Sequence, residues 1–187
     1  MRSLFIAATC AVSTFGVFAQ TPVNPFDSAT GQTAGTVAQG LRPLRNDTMH
    51  LTLHTSISDT VVAPGKKLSV AFDITPKRLM HVYAPGKHDY QVITVKVDPQ
   101  PWLKIEPTTY PPSEIYHFKE LDEKVETYGK PFKLVLELTV LDTAAAKKAL
   151  ASGAPLKVSG RLEYQACDDK VCYAPTRIPV SFALTVK

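Results

Sequence analysis

Alternation of apolar and polar residues with a period of two is the sequence feature that most restricts the fold of this chain. Every second residue is apolar from Leu68 to Ile74, and again from Phe132 to Val140. Successive side chains of a β-strand point to opposite faces, so this period predicts strands with one buried and one solvated face. Turn residues such as Pro64-Gly65 separate the runs at short intervals. The chain is therefore predicted to consist mainly of β-strands.

The remaining patterns add strands and very little helix. Further strands are predicted at 49–54, 80–83, 92–97, 156–164 and 178–186. One short helix is predicted at 143–151, in an alanine-rich stretch that ends at Gly153. Many short strands with one short helix predict an all-β fold, and we favour an immunoglobulin-like β-sandwich of about seven to nine strands.

The N-terminal residues have the layout of a secretory signal peptide. Residues 1–19 begin with Arg2, continue with an apolar stretch and end at Ala19 after a small-x-small pattern. The signal peptide would direct export of the chain to the periplasm. Cleavage after about Ala19 would remove Cys10 and leave a mature protein that does not span the membrane. Residues 20–47 lack apolar periodicity and are predicted to be a flexible linker. The folded domain is then expected at 48–187.

The charge distribution argues against nucleic acid as a partner. The chain has 21 Lys and Arg residues against 17 Asp and Glu residues, a net charge of +4. Nucleic-acid binders usually collect their basic residues on one element, whereas here they are scattered along the chain.

Cys167 and Cys172 form the strongest local motif for chemistry. Four mostly polar residues separate them, as in a hairpin tip that could bring both Cα atoms within disulfide distance. Closing so short a ring stabilises a fold by only about 2 kcal/mol, which is small for a domain of this size. A ring at an exposed tip is also easily reached by an attacking thiolate. From spacing alone, a structural disulfide and a redox-active disulfide both remain open.

Other candidate sites are weaker. Zinc usually takes four nitrogen or sulfur ligands, and no second cysteine pair follows the first, so no metal site is predicted. His50 and His54 are expected on the solvent side of a strand, with Met49 on the opposite face. Their Cα atoms would lie roughly 13 Å apart, too far to share one copper ion without a third element. We therefore expect neither a metal nor another cofactor.

The residues around the cysteine pair resemble a known family. The run from Tyr164 to Asp169, together with Cys172 and Pro175, is similar to the N-terminal periplasmic domain of the thiol:disulfide interchange protein DsbD. Residues 80–86, 110–112 and 128–129 match its other landmarks. The likeness covers residues 48–187. It implies an immunoglobulin-like module that acts as a protein-disulfide reductase component.

The resemblance also implies partners and residue roles. A transmembrane carrier or a thioredoxin-like protein would donate electrons, and periplasmic thiol proteins would be the clients. Cys172 would form the mixed disulfide with a partner, and Cys167 would resolve it. A cap segment would cover the pair, with Phe118 as its shield and Asp122 and Glu123 as acids that handle protons. We expect neither the family's membrane carrier nor its thioredoxin-like domain in this chain, so that separate proteins would supply these functions, or the relay would be lost and only the fold kept.

The carboxylates of Asp168 and Asp169 should disfavour a thiolate beside them, while Lys170 opposes that effect. We therefore expect thiols that react slowly until a partner docks. Three tyrosines are predicted either to line the docking surface or to pack in the sheets: Tyr83, Tyr164 and Tyr173. The alternative function is a non-catalytic immunoglobulin-like binding or assembly module with a structural disulfide.

Overall fold

The computed structural model describes residues 44–119 and 122–186. The predicted signal peptide and most of the predicted linker lie outside the described residues. The elements follow the chain in the order β1 (Leu44–Asp47), β2 (Leu51–Ile57), β3 (Val61–Val62), β4 (Lys67–Pro76), β5 (His81–Tyr83), β6 (Thr94–Val97), β7 (Leu103–Ile105), β8 (Glu114–Phe118), β9 (Glu123–Tyr128), β10 (Phe132–Val140), α1 (Ala144–Leu150), β11 (Leu156–Tyr164), β12 (Ala166–Cys167) and β13 (Thr176–Val186).

The described strands form three sheets. Sheet 1 has the order β1-β2-β4-β10-β7, sheet 2 has the order β3-β13-β11-β6, and sheet 3 has the order β12-β5-β9-β8. Neighbouring strands are antiparallel in every described pair except β3 and β13. Seven of the strands have five or more residues, and the others are shorter segments. The predicted all-β, immunoglobulin-like class is confirmed.

The period-two alternation places alternate side chains in the core. In β10 the buried residues run from Leu134 to Val140 at every second position, and β4 follows the same pattern against it. Val158 and Leu162 of β11 belong to the same hydrophobic cluster as these side chains. Sheets 1 and 2 therefore share one core.

The hairpin formed by β8 and β9 was not predicted as strands. Its sequences mix charged and aromatic residues without strict alternation, and β8 lies at the edge of sheet 3 with much of its surface exposed. The chain turns near Asp122, which has a positive φ of 48°. The segment expected to be a cap loop thus includes the end of β8 and the start of β9. Likewise, residues 44–47 at the end of the predicted linker form β1, which pairs with β2.

Glu163 ties together three strands at the base of the cysteine hairpin. Its carboxylate accepts hydrogen bonds from Lys96 of β6 at 2.7 Å and from Arg161 of β11 at 2.7 Å, and forms an ion pair with Arg177 of β13 at 3.2 Å. The hydrogen bonds from Lys96 first and then Arg161 lower the pKa of Glu163 to about 2. The ends of β11 and β13 are thereby held where the chain enters and leaves the hairpin.

Candidate functional site

The cysteine hairpin connects β11 to β13 and is shaped by Asp168. The carboxylate of Asp168 accepts hydrogen bonds from the backbone N–H groups of Lys170 at 2.8 Å and Val171 at 2.7 Å. Its second oxygen accepts the hydroxyl of Tyr173 at 2.9 Å. These bonds, led by the one from Lys170, lower the pKa of Asp168. The carboxylate of Asp168 therefore stabilises the turn between the two cysteines.

The two cysteines form a disulfide whose ends differ in exposure. Cys167 and Cys172 are bonded to each other, with their Cα atoms 4.1 Å apart. Cys167 lies on β12, pairs with His81 of β5 and is completely buried. Cys172 pairs with Cys167 across the turn and is exposed. An incoming thiolate can therefore approach Cys172 and not Cys167.

The hydroxyl of Tyr83 contacts both sulfur atoms of the disulfide. Its hydroxyl lies 2.9 Å from the Sγ of Cys167 and 3.3 Å from the Sγ of Cys172. The side chain is 1% exposed, and burial raises the pKa of its hydroxyl. Tyr83 is thus a neutral hydrogen-bonding group at the disulfide. Of the two alternatives predicted for it, docking surface or packing, its burial favours packing.

Phe118 lies over the buried cysteine. It is 5% exposed and belongs to a small hydrophobic cluster with Tyr83, Val125 and Cys167. Phe118 is the last residue of β8, so the β8–β9 hairpin carries it to this position. The β8–β9 hairpin, and not an irregular loop, therefore places Phe118 beside Cys167.

The two predicted acids occupy different surroundings. The side chain of Asp122 is 94% exposed, and its carboxylate lies 2.9 Å from the Nε2 of His117. Glu123 is half-buried and accepts a hydrogen bond from the hydroxyl of Tyr90 at 2.5 Å. Tyr90 in turn stacks on Tyr83. Of the two acids, Glu123 is the one linked through side chains to the disulfide.

The other two predicted tyrosines hydrogen-bond to groups other than the sulfur atoms. Tyr164 is completely buried in the main core, and its hydroxyl lies 3.1 Å from the Oγ1 of Thr48 and 3.3 Å from the Nδ1 of His50. Tyr173 is half-buried, hydrogen-bonds to the hairpin turn and packs against the main core. These positions favour the packing alternative for Tyr164 and a turn-supporting position for Tyr173.

The predicted exposure of His50 is wrong. His50 is 5% exposed and lies under Tyr173, with ring centroids 4.6 Å apart, whereas Met49 is 68% exposed. The cause is a turn in which the N–H of Leu51 bonds to the Oγ1 of Thr48, so that β2 begins only at Leu51. His54 does lie on the more exposed face of β2, in register with Asp73.

Three side chains near the pair were not singled out from the sequence. His81 is 4% exposed and stacks on Tyr116 with ring centroids 4.1 Å apart. The hydroxyl of Tyr116 bonds to Asp169 at 2.6 Å, which joins β8 to the cysteine hairpin. Tyr90 follows β5 in a turn-rich segment. Of these three residues, only His81 could have been placed near the pair from the local sequence, because alternate residues of a strand share a face and His81 is two positions before Tyr83.

A shallow cleft of about 260 Å³ lies beside the hairpin. Exposed apolar residues form part of its wall, with Leu79 at 58% and Ile115 at 62% exposure. The full lining consists of Leu79, Met80, His81, Glu114, Ile115, Tyr116, Thr127, Gly129 and Asp169.

Two further observations concern metals and membranes. Within residues 44–119 and 122–186, no three or more histidine, cysteine, aspartate or glutamate side chains are grouped so that they could hold a metal ion. The helix found in the same ranges is too short and polar to cross a bilayer.

Comparison with protein families gives a match over most of the chain. The sequence model of the family described as thiol:disulfide interchange protein DsbD, N-terminal, matches residues 56–183, a range that includes both cysteines. No curated protein sequence matches the chain.

Solved structures give a similar fold at low sequence identity. The N-terminal periplasmic domain of ScsB from Proteus mirabilis aligns with a TM-score of 0.54 and 11% identity, covering 78% of this chain and 52% of that chain. This chain thus spans about half the length of that relative. The GAE domain of yeast GGA1 aligns with a TM-score of 0.35 and 9% identity, over 76% of this chain and 97% of that one, a likeness too low to carry an argument.

Proposed function

Because the chain belongs to the family of N-terminal domains of the thiol:disulfide interchange protein DsbD, we propose that it performs thiol–disulfide exchange in the periplasm through Cys167 and Cys172. Electrons would come from a thioredoxin-like or membrane-bound thiol protein. They would pass to the disulfides of exported client proteins. The chain would act as one component of a protein-disulfide reductase.

The observation that carries this proposal is the unequal exposure of the two cysteines. A disulfide that serves only as a staple needs no accessible sulfur, whereas exchange requires a thiolate to reach one of the two sulfur atoms. Here Cys172 is exposed and Cys167 is completely buried. Attack is thereby directed to Cys172, which agrees with the role that the family resemblance implies for it.

The reaction follows from this arrangement. A donor thiolate attacks the Sγ of Cys172 and forms a mixed disulfide, while the electron pair of the broken bond goes to the Sγ of Cys167. A second donor thiolate then attacks the mixed disulfide, so the donor leaves oxidised. Both cysteines are reduced, having gained two electrons and two protons. With a client the same steps run in reverse, and Cys167 expels the reduced client from Cys172.

The surroundings of Cys172 favour a protein partner. Val171 beside it is 52% exposed, and the cleft lined by Leu79 and Ile115 reaches Asp169 of the same hairpin. Exposed apolar side chains grouped together and rimmed by polar residues are typical of docking surfaces. We propose that a thioredoxin-like thiol protein docks here and aligns its own thiolate with Cys172.

Electron transfer to a protein disulfide tests the proposal. The full chain is reduced, freed of reductant and mixed with an oxidised thioredoxin-fold protein, and both proteins are then alkylated and weighed by mass spectrometry. We expect one disulfide to appear in this chain for each one lost from the partner. A double variant with both cysteines replaced by serine serves as the control. If the partner remains oxidised at equilibrium with an excess of the reduced chain, the alternative of a binding module with a structural disulfide is favoured.

A further inference from the structure

The cleft beside the cysteine hairpin has acidic side chains in its wall and no basic ones. It lies between β8, the start of β5 and Asp169 of the cysteine hairpin. Among the described residues that line it, Glu114 and Asp169 carry a negative charge, and no lysine or arginine is present. Charged groups at protein interfaces generally face groups of the opposite sign. A positive group is therefore the complement of this cleft.

His81 gives the cleft a buried polar atom that has no partner. The residue lines the cleft and is 4% exposed, and within the described residues its Nε2 has no hydrogen-bond partner. Burial lowers the pKa of His81 more than the nearby Asp169 and Asp168 raise it, so its ring is neutral near neutral pH. Buried polar atoms of native proteins are nearly always hydrogen-bonded. A ligand that reaches the Nε2 of His81 therefore gains a hydrogen bond that the chain itself does not make.

The apolar part of the wall suits an aliphatic chain. Leu79, Met80 and Ile115 form this part, and Leu79 and Ile115 are 58% and 62% exposed. Leu79 also has a positive φ of 65°, which is strained for a residue that is not glycine. Strained backbone conformations of this kind are concentrated at functional sites such as ligand clamps. The wall thus combines exposed apolar side chains with a strained residue at its rim.

We propose that the cleft binds an arginine or lysine side chain of the protein that exchanges its disulfide with Cys172. This proposal rests on the exchange function and adds the feature by which the chain selects its partner. The aliphatic stem of a basic side chain packs on apolar surface while its head group stays polar. That head group only donates hydrogen bonds. It therefore matches the carboxylates of Asp169 and Glu114, and the Nε2 of His81 in the tautomer that has its proton on Nδ1.

Both carboxylates retain capacity for a further donor. The Oδ1 of Asp169 accepts the hydroxyl of Tyr116 at 2.6 Å, and the Oε1 of Glu114 accepts a hydrogen bond from Lys130. A carboxylate has two oxygens and about four lone-pair sites, so one bond does not saturate it. The side chains of Lys130 and Glu114 are 76% and 59% exposed, and ion pairs this exposed are weak. A basic group of a partner can therefore join Lys130 at Glu114 or replace it.

Peptide disulfides that differ in one side chain test this proposal with the reduced full chain. Asp169 is three residues before Cys172, so the basic residue should lie close to the reacting cysteine of the partner. Each peptide has one cysteine linked to 2-nitro-5-thiobenzoate and one arginine, placed in turn at each of the nearest positions on either side. Matched peptides have citrulline, which resembles arginine in shape but is uncharged, or leucine. Release of the coloured thiolate measures the rate at which Cys172 attacks the peptide.

We expect the best arginine peptide to react about tenfold faster than its citrulline counterpart, since hydrogen bonds to charged groups contribute about that much. Added salt should lower this ratio, because it screens exposed charges. Asp169→Asn and Glu114→Gln should each move the ratio toward one, and so should His81→Phe, which keeps a ring beside Tyr116. Any effect of these variants on the thiolate of Cys172 changes both rates alike and cancels in the ratio.

Glu126→Gln is the matched control. Glu126 precedes Thr127 on β9, and successive side chains of a strand point to opposite faces, whereas Thr127 lines the cleft. The carboxylate of Glu126 lies against Gly86. This control should keep the wild-type ratio. A further variant, Leu79→Gly, removes part of the apolar wall and relieves the positive φ, so it should not lower the Tm and should slow the arginine and citrulline peptides alike.

The outcomes separate this proposal from the exchange function. A ratio near one at every position, or a leucine series that reacts faster than the arginine series, would overturn the proposal and leave exchange standing. So would an arginine preference that survives both carboxylate variants or that Glu126→Gln removes equally, and so would unchanged rates in Leu79→Gly. A wild-type chain that releases no coloured thiolate from any peptide would instead count against the exchange function, and with it this proposal.

Discussion

Replacement of Cys172 with serine is expected to abolish thiol–disulfide exchange, whereas Cys167→Ser should leave the first half of the reaction intact. In Cys167→Ser, the exposed Cys172 can still attack a partner disulfide, but no thiol remains to resolve the product. The variant should therefore accumulate one covalently bound partner per chain. In Cys172→Ser, the remaining Cys167 is buried, and we expect no mixed disulfide above background. Non-reducing electrophoresis and mass spectrometry of the linked peptides measure both results.

The two variants are controls for each other. Each loses the same six-residue ring, so each should lose about the same stability, on the order of 2 kcal/mol. A difference in reactivity between the two variants then reflects the position of the remaining cysteine and not a difference in stability. Trapping at Cys167 in Cys172→Ser, with none at Cys172 in Cys167→Ser, would reverse the roles of the two cysteines.

Removal of the Phe118 ring is expected to uncover the disulfide. Phe118 is 5% exposed and packs in one cluster with Cys167 and Tyr83. We expect Phe118→Ala to raise the rate at which glutathione attacks the Sγ of Cys167 about tenfold or more, because exchange rates depend on access to the sulfur that is attacked. The same change should lower the free energy of unfolding by about 3 kcal/mol through the cavity it leaves. Stopped-flow reduction and thermal unfolding measure the two effects.

Phe132→Ala is the matched control for this prediction. Phe132 is half-buried and stacks on Tyr128, with ring centroids 4.1 Å apart, in the main core and not in the Cys167 cluster. It should reduce stability without a comparable gain in the reduction rate. Phe118→Leu, which keeps much of the volume, should lie between the wild type and Phe118→Ala. If Phe118→Ala were reduced no faster than the wild type, Phe118 would not be a cover.

The fold was predictable where burial follows a strict period. β4, β10, β11 and β13 each have one face in the core, so their apolar residues alternate and their positions could be inferred from sequence. β8 has no such face: only Phe118 of its five residues is buried, and the apolar Ile115 is exposed beside Glu114. β8 is a strand at a sheet edge because it pairs with β9, and no pattern within its own five residues indicates that pairing.

The site was predictable only in part for a similar reason. The cysteine pair has a local signal in its spacing, and the turn between the two cysteines contains Asp168, a residue typical of turns. Contacts such as Tyr90 with Glu123 join residues 33 positions apart through the pairing of separate elements. His50 was placed on the wrong face because the turn at Thr48 delays the start of β2.

The reduction potential of the Cys167–Cys172 pair tests the central claim most directly. The full chain is equilibrated with glutathione buffers of known potential, and the fraction of free thiol is measured after rapid alkylation. Disulfides that only stabilise exported proteins typically have potentials below about −300 mV. A pair that opens and closes by exchange at Cys172 should have a higher potential and should titrate fully and reversibly. A potential well below that value, with the chain still folded, would contradict exchange and leave the disulfide as a structural bond.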